Sequence, residues 1–308
     1  PNDLSKANPN NLGDPAVSDA YEPGSVIKAV TVSAALQNGL VTPHSRFVIP
    51  NTYQYNGTTF HDAESHATEH LTLTGILAYS SNIGAIQIAK RVGSDRLYEY
   101  LRSFGFGQTS GVNLPGESAG LLLPVDQWSC MTLPTLAFGQ GLRVTAMQVA
   151  SLYSTIANNG VRVTPTIVKG TVDEDGVLHH AAAPRRHQVI SADVAMQMRQ
   201  ILESVTTDEG TAPAARIDGY RIAGKTGTAN RSNGHGGYTG AGYDASFVGM
   251  VPADNPKLVC AVVLERPVRG YFGGLVAAPV FKTVMSFALR TLGIPPTFTK
   301  PAKAKLTW

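Results

Sequence analysis

Tyr21-Glu22-Pro23-Gly24-Ser25-Val26-Ile27-Lys28 opens a run that stays apolar on nearly every face as far as Leu36. A run without a polar face reads as a helix buried inside a domain. Pro23-Gly24-Ser25 starts it and Asn38-Gly39 stops it. Ser25 and Lys28 stand three apart, so a hydroxyl and an amine share one helix face. Serine is a poor nucleophile until a base takes its proton, and a lysine whose pKa is lowered by burial is able to do so. The helix N-terminus adds a positive dipole end and free N–H groups where an oxyanion would develop. Taken alone, the pair also fits a capping serine and a snorkelling lysine. Against that plainer reading, an unpaired lysine inside an apolar helix is costly.

Working outward, residues 1–22 read as loop, and residues 41–70 as short extended pieces with a turn at Asn56-Gly57. Leu71–Tyr79 and Ile83–Val92 read as helices broken near Ser81-Asn82, followed by Asp95–Phe104, which Gly105 ends. Thr145 and Gln148 form a capping box for a helix to about Asn158. Strands are expected within 162–190, then an amphipathic helix over Ala192–Val205. Tyr220–Ala223, Ser246–Val251 and Leu258–Glu265 are strand candidates, and Pro279 suits the first turn of a last helix to about Leu292. Helices in the middle and strands near the end predict an α+β fold.

The 308 residues are 43% hydrophobic and 15% charged, against roughly 25% charged in ordinary soluble domains. That excludes a disordered chain and leaves ample material for a core. A net charge of +3 with no basic run gives no footprint for nucleic acid. Cys130 and Cys260 are too few for a disulfide framework. No apolar run approaches the roughly 18 residues of a spanning helix. The chain begins with Pro1 and not Met, which suggests a processed or truncated form and leaves open whether an anchor was removed.

Two further segments carry chemistry. Ser80-Ser81-Asn82 falls where two helices break and presents a hydroxyl and an amide, although turn chemistry alone explains such residues. Lys225-Thr226-Gly227-Thr228 follows a strand-like stretch. A strand edge offers backbone groups to an extended peptide, and Gly227 permits close approach. S-x-x-K, S-x-N and K-T-G in this order, each occurring once, form the motif set of penicillin-binding proteins and serine β-lactamases. The chain closely resembles the transpeptidase domain of class B penicillin-binding proteins. The likeness includes Tyr79-Ser80-Ser81-Asn82-Ile83-Gly84, Phe138-Gly139-Gln140-Gly141 and Ala223-Gly224-Lys225-Thr226-Gly227-Thr228-Ala229. Asp244-Ala245-Ser246-Phe247-Val248-Gly249 looks more like the division, septal branch than the elongation branch.

The resemblance implies a penicillin-binding, serine β-lactamase-like fold: an antiparallel sheet flanked by helices, plus an all-helical lobe carrying Ser80 and Asn82. It implies a peptidoglycan D,D-transpeptidase that is also the target of β-lactam acylation. Ser25 would be the acylated nucleophile and Lys28 its base. Ser80 would relay protons, Asn82 would hold the acyl side chain's amide, and Lys225 would order the hydroxyl network. Thr226 and Thr228 would contact the substrate carboxylate beside Gly227, with the Ser25 and Thr228 N–H groups as oxyanion hole. Implied partners are stem peptides, β-lactams and division-complex membrane proteins including a glycosyltransferase, at the extracytoplasmic face of a bacterial cell membrane. No metal or cofactor is expected, because nucleophile and base are side chains. The family usually places two sheet strands before the serine helix, whereas 24 residues precede Ser25 here. Residues 1–308 therefore read as the transpeptidase domain without its first strands, pedestal and anchor.

Rival readings are weaker. Gly219 to Thr226 formally matches the phosphate-binding pattern G-x-x-x-x-G-K-T, but strand-like residues fill it and no helix follows. His61, Asp62, Glu64, His66 and His70 are dense enough for a metal, yet Ser65, Ala67 and Thr68 give no apolar face for a helix, so a solvated loop is the expectation. The glycine-rich 234–242 stretch reads as a mobile loop beside the cleft. A β-lactamase, a D,D-carboxypeptidase, and a penicillin sensor or inactive division scaffold share the motifs.

Overall fold

The computed structural model describes residues 13–231, 237, 240, 242–301 and 303–308. Residues 1–12 and most of the 234–242 stretch lie outside the described residues. The segment read as loop before Tyr21 contains a one-turn helix, α1 (Pro15–Ser18), whose first turn is capped by Asp14. The Ser25 run begins with a 3-10 turn, Gly24–Ile27, and continues as α2 (Lys28–Gln37), every residue of which is buried from Lys28 to Leu36.

Short antiparallel pairs follow. β1 (Arg46–Ile49) pairs with β4 (Glu69–Thr72), and β2 (Thr52–Tyr55) with β3 (Thr58–His61). Asn56 and Gly57, both at positive φ, close the second hairpin, the backbone that a two-residue type I′ turn demands. α3 (Leu73–Ala78), α4 (Asn82–Val92) and α5 (Ser94–Phe104) form the helical lobe around α2. α6 (Thr132–Leu136) and α7 (Ala146–Ala157) come next, and the Thr145–Gln148 capping box is formed in both directions. β5 (Val161–Val163) pairs with β8 (Arg186–Gln188), and β6 (Gly170–Val172) with β7 (Leu178–His180), before α8 (Ala192–Glu203).

The main sheet is antiparallel, in the order β11 (Leu258–Glu265), β10 (Tyr243–Val251), β9 (Ala223–Asn230). Its period of two divides the core. Val248 and Met250, with Val259, Ala261 and Val263, join the large cluster built on α2, α4, α7 and α8. Phe247, Val251, Leu258, Cys260 and Val262 face Phe281, Met285 and Leu289 of α10 (Ala278–Thr291), which follows the one-turn α9 (Gly273–Val276). The expected α+β architecture is present, with the antiparallel sheet covered by helices on both faces.

One strand expectation is corrected. Tyr220–Ala223 is not a strand: the Tyr220 hydroxyl donates to the Ile294 carbonyl, and the strand begins at Ala223 and carries Lys225 itself. Ala-Gly-Lys-Thr-Gly-Thr-Ala-Asn has little intrinsic strand preference. Its glycines are there for closeness. A Cβ on Gly224 would lie 2.6 Å from the Phe247 ring.

Candidate active site

Ser25 sits on the first turn of the 3-10 segment, and that turn is clamped from two sides. Gly24 N–H donates to the Gly139 carbonyl at 3.0 Å, and Gly139, at φ +89°, approaches so near that a Cβ there would overlap Gly24 O. On the other side a Cβ on Gly24 would meet Ala229 Cβ at 3.2 Å and Thr228 O at 3.3 Å. From beneath, the buried Tyr153 hydroxyl donates to Val26 O at 3.0 Å. The serine turn is thus wedged between the Phe138–Gly141 segment and β9.

Lys28, wholly buried, extends from α2 to the loop between α3 and α4. Its Nζ donates to Ser80 O at 2.5 Å, Ser80 Oγ at 3.2 Å and Asn82 Oδ1 at 2.7 Å. Burial lowers its pKa to about 7, against the opposing pull of the Asp62 carboxylate. The amine therefore sits near the charge balance that general-base work at neutral pH requires. The Ser25 hydroxyl lines the cleft without a hydrogen bond to Lys28; apo sites often hold such contacts open until substrate arrives.

Ser80 has φ +62°. It follows the C-cap of α3, where Ser81 N–H closes back on Ile76 O at 3.0 Å, a position that glycine fills most comfortably. A serine held in the left-handed region costs about 1–2 kcal/mol, and its hydroxyl and carbonyl both face the Lys28 amine. Asn82 begins α4, capped by Ser81. Asp62 pins this junction: its carboxylate accepts from Ser81 Oγ at 2.8 Å, from Ile83 N–H at 3.0 Å and from Asn82 N–H. His66 Nε2 lies 3.2 Å from the same carboxylate. Two members of the His61–His70 cluster read as dense enough for a metal, Asp62 and His66, thus build the support of the Ser80 loop. The rest of 62–68 is mostly exposed loop.

β9 is the edge of the main sheet. Lys225 is wholly buried in it and donates to Thr226 Oγ1 at 3.1 Å. Burial, and then the neighbouring Lys28 charge, hold its amine well below the usual lysine range. Thr226 Oγ1 and Thr211 Oγ1 are 2.9 Å apart, and Thr228 Oγ1 accepts from Gly273 N–H at 3.2 Å. A cleft of about 680 Å³ is lined by Ser25, Ser80, Asn82, Thr226 and Thr228 together. Lys28, Lys225 and Gly227 lie behind its wall.

The residues predicted from three distant segments therefore meet at one place. The sequence reading did not single out Asp62 as a support, Thr211, Glu209 or the aromatic side of the cleft. There Tyr243 and Tyr271 stack with ring centroids 4.4 Å apart and Phe272 leans on Tyr271 at 4.5 Å. These residues sit on loops or strand ends, where periodicity carries no signal. Asp62 serves a helix that begins twenty residues later, so no local capping pattern marks it.

Comparison with known proteins agrees with this geometry. Residues 1–286 match the family described as penicillin binding protein transpeptidase domain. The chain is 41% identical over 302 residues to the penicillin-binding protein PbpB of Mycolicibacterium smegmatis, covering 95% of this chain and 47% of that protein. Against a probable peptidoglycan D,D-transpeptidase, PbpC of Pseudomonas aeruginosa, it is 36% identical, covering 96% of this chain and 50% of the other. The chain thus spans about half the length of the curated relatives it matches. The crystal structure of penicillin binding protein 3 from Mycobacterium tuberculosis in its apo form superposes with a TM-score of 0.92 at 41% identity, over 99% of this chain and 70% of that one. The same protein complexed with ampicillin gives 0.91 at 40%, over 98% and 69%. With its fold and its family match in agreement over nearly all its length, the chain belongs to the penicillin-binding protein transpeptidase domain family, on its class B branch.

Proposed function

We propose that this chain catalyses peptidoglycan D,D-transpeptidation in septal cell-wall synthesis and is acylated by β-lactams. Ser25 Oγ attacks the penultimate D-alanine carbonyl of a stem peptide, Lys28 takes the hydroxyl proton, and the peptide C–N bond breaks. D-alanine leaves with a proton relayed through Ser80. An amine from a neighbouring strand then attacks the Ser25 ester, forming the cross-link and returning the serine hydroxyl. Asn82 holds the acyl chain's amide, Lys225 orders the hydroxyls, and Thr226 and Thr228 take the substrate carboxylate beside Gly227. The Ser25 and Thr228 N–H groups receive the oxyanion, each such donor contributing about 10²–10³ in rate. The stem peptide enters as an added strand on the edge of β9.

The observation that carries this reading is the buried Lys28 amine, lowered to about 7 and tied to Ser80 and Asn82 on the wall of the cleft that holds Ser25. No helix among the described residues is long and apolar enough to cross a membrane. For the whole protein, the extracytoplasmic face of the cell membrane, a pedestal and anchor, and division-complex partners including a glycosyltransferase belong to the same proposal.

Incubation with benzylpenicillin is expected to add one drug mass to the intact chain, mapped to the peptide containing Ser25. No adduct, or one on another residue, overturns the assignment. An adduct without turnover of any peptide or thioester substrate makes the chain a sensor. The acylation rate is expected to climb with pH and level off, with its midpoint near 7, because only the unprotonated Lys28 accepts the serine proton. A flat rate from pH 5.5 to 8.5 would remove Lys28 as the base.

A further inference from the structure

The segment Lys305–Trp308 lies beyond residue 286, where the family match ends, yet it is built into the support of the Ser80 loop. It runs antiparallel to β4. Leu71 bridges Thr307, Thr72 N–H donates to Leu306 O at 2.8 Å, and Trp308 N–H donates to His70 O at 3.1 Å. Trp308 packs edge-on against His70 at 4.8 Å, and the Arg46 guanidinium stands 5.0 Å over its ring. Leu306 is buried.

The centre of this contact is Thr72, the N-cap of α3. Its hydroxyl accepts from Gly75 N–H at 3.1 Å and donates to Lys305 O at 2.6 Å. The segment passes so close to the helix that a Cβ on Gly75 would overlap Leu306 O. α3 has six residues, all buried, a rod of about 9 Å. Its far end is the Tyr79–Ser80 turn that receives the Lys28 amine.

We propose that Lys305–Trp308 is a positioning strap: by fixing the N-terminal end of α3 it sets where Ser80 meets Lys28, and so the rate at which Ser25 is acylated. The proposal rests on the acylation of Ser25 argued above.

Gly75→Ala tests it. In a helix, alanine is preferred to glycine, so this change favours α3 while its methyl group displaces the strap. Acylation by a fluorescent penicillin is expected to slow about ten- to hundred-fold, the cost of a misplacement near 1 Å, with the chain still folded by circular dichroism. Loosening the loop admits water to Lys28, so the pH midpoint of acylation moves above 7. Hydrogen exchange at the Tyr79 and Ser81 amides, bonded to Gly75 O and Ile76 O, quickens. Should Gly75→Ala fail to fold, Trp308→Ala makes a milder cut at an exposed residue, and the same shifts in smaller measure are expected. Parent-like acylation with an unmoved midpoint overturns the strap, as does a rate loss that only follows the unfolded fraction. If the parent chain takes no adduct at all, the acylation reading fails, while exchange at Tyr79 and Ser81 still decides whether the strap holds the loop.

Discussion

Lys28→Met is expected to slow acylation of Ser25 by about 10³–10⁴-fold, at the upper end of what a general base contributes, while the fold persists. Methionine fills the space of a wholly buried lysine stem without its charge. The sign of the stability effect follows from the lowered pKa. Between about pH 7 and 10.5 the unfolded chain binds a proton at this residue that the folded chain does not, so stability rises with pH through that window and the penalty is complete below 7. Its full size is on the order of 5 kcal/mol. Against its removal stands the loss of bonds to Ser80 O, Ser80 Oγ and Asn82 Oδ1, each orphaned acceptor costing about 1–3 kcal/mol. The two effects oppose each other, so the variant at pH 7 should unfold within about 4 kcal/mol of the parent. The clean signature is a difference: the parent gains stability from pH 7 to 10 that Lys28→Met lacks, read by urea unfolding at several pH values. Parent-like acylation in the folded variant would dismiss Lys28 from the chemistry.

Why the sequence exposed so much of this site and so little of its support is a matter of range. Ser25 and Lys28 are linked by one helix turn, Asn56-Gly57 by one hairpin, and Thr145 and Gln148 by one capping box, and contacts that short leave a pattern in the chain. Lys225 was legible as a motif, but its strand was placed too early. Tyr220 and Ile222 look like strand residues, while Gly224 and Gly227 do not. In the fold the glycines let the strand press between Phe247 and the serine turn, and tertiary packing overrides local preference. Asp62 shows the same limit from the other side. It caps a helix beginning twenty residues later, so its dense histidine neighbourhood suggested a different use. The Lys305–Trp308 contact joins positions more than 230 residues apart, and nothing near either end announces it.

Gly227→Ala is expected to reduce acylation by about 10²–10³-fold, the scale of losing one oxyanion donor, and to destabilise the chain by about 1–3 kcal/mol, as overpacking does. Gly227 lies opposite Ser246 on β10 and beneath the serine turn. A methyl group there would overlap Ser246 Oγ and stand 2.8 Å from Pro23 O and 3.2 Å from Val26 Cγ1. Pro23 O is backbone just before the turn, so the strain is relieved only by moving β9 away from Ser25. That separates the Thr228 N–H from the Ser25 N–H, the two donors of the proposed oxyanion hole. Ser246 provides the control. Its hydroxyl is buried without a partner among the described residues, so Ser246→Ala should leave acylation unchanged and stability equal or slightly higher. The double variant removes the Oγ overlap but keeps the Pro23 contact. It should therefore recover part of the stability and little of the rate, a split that a purely global loss of folding would not produce. Measured acylation at the parent rate in Gly227→Ala would mean that β9 and the serine turn separate without consequence, and that the oxyanion is received elsewhere.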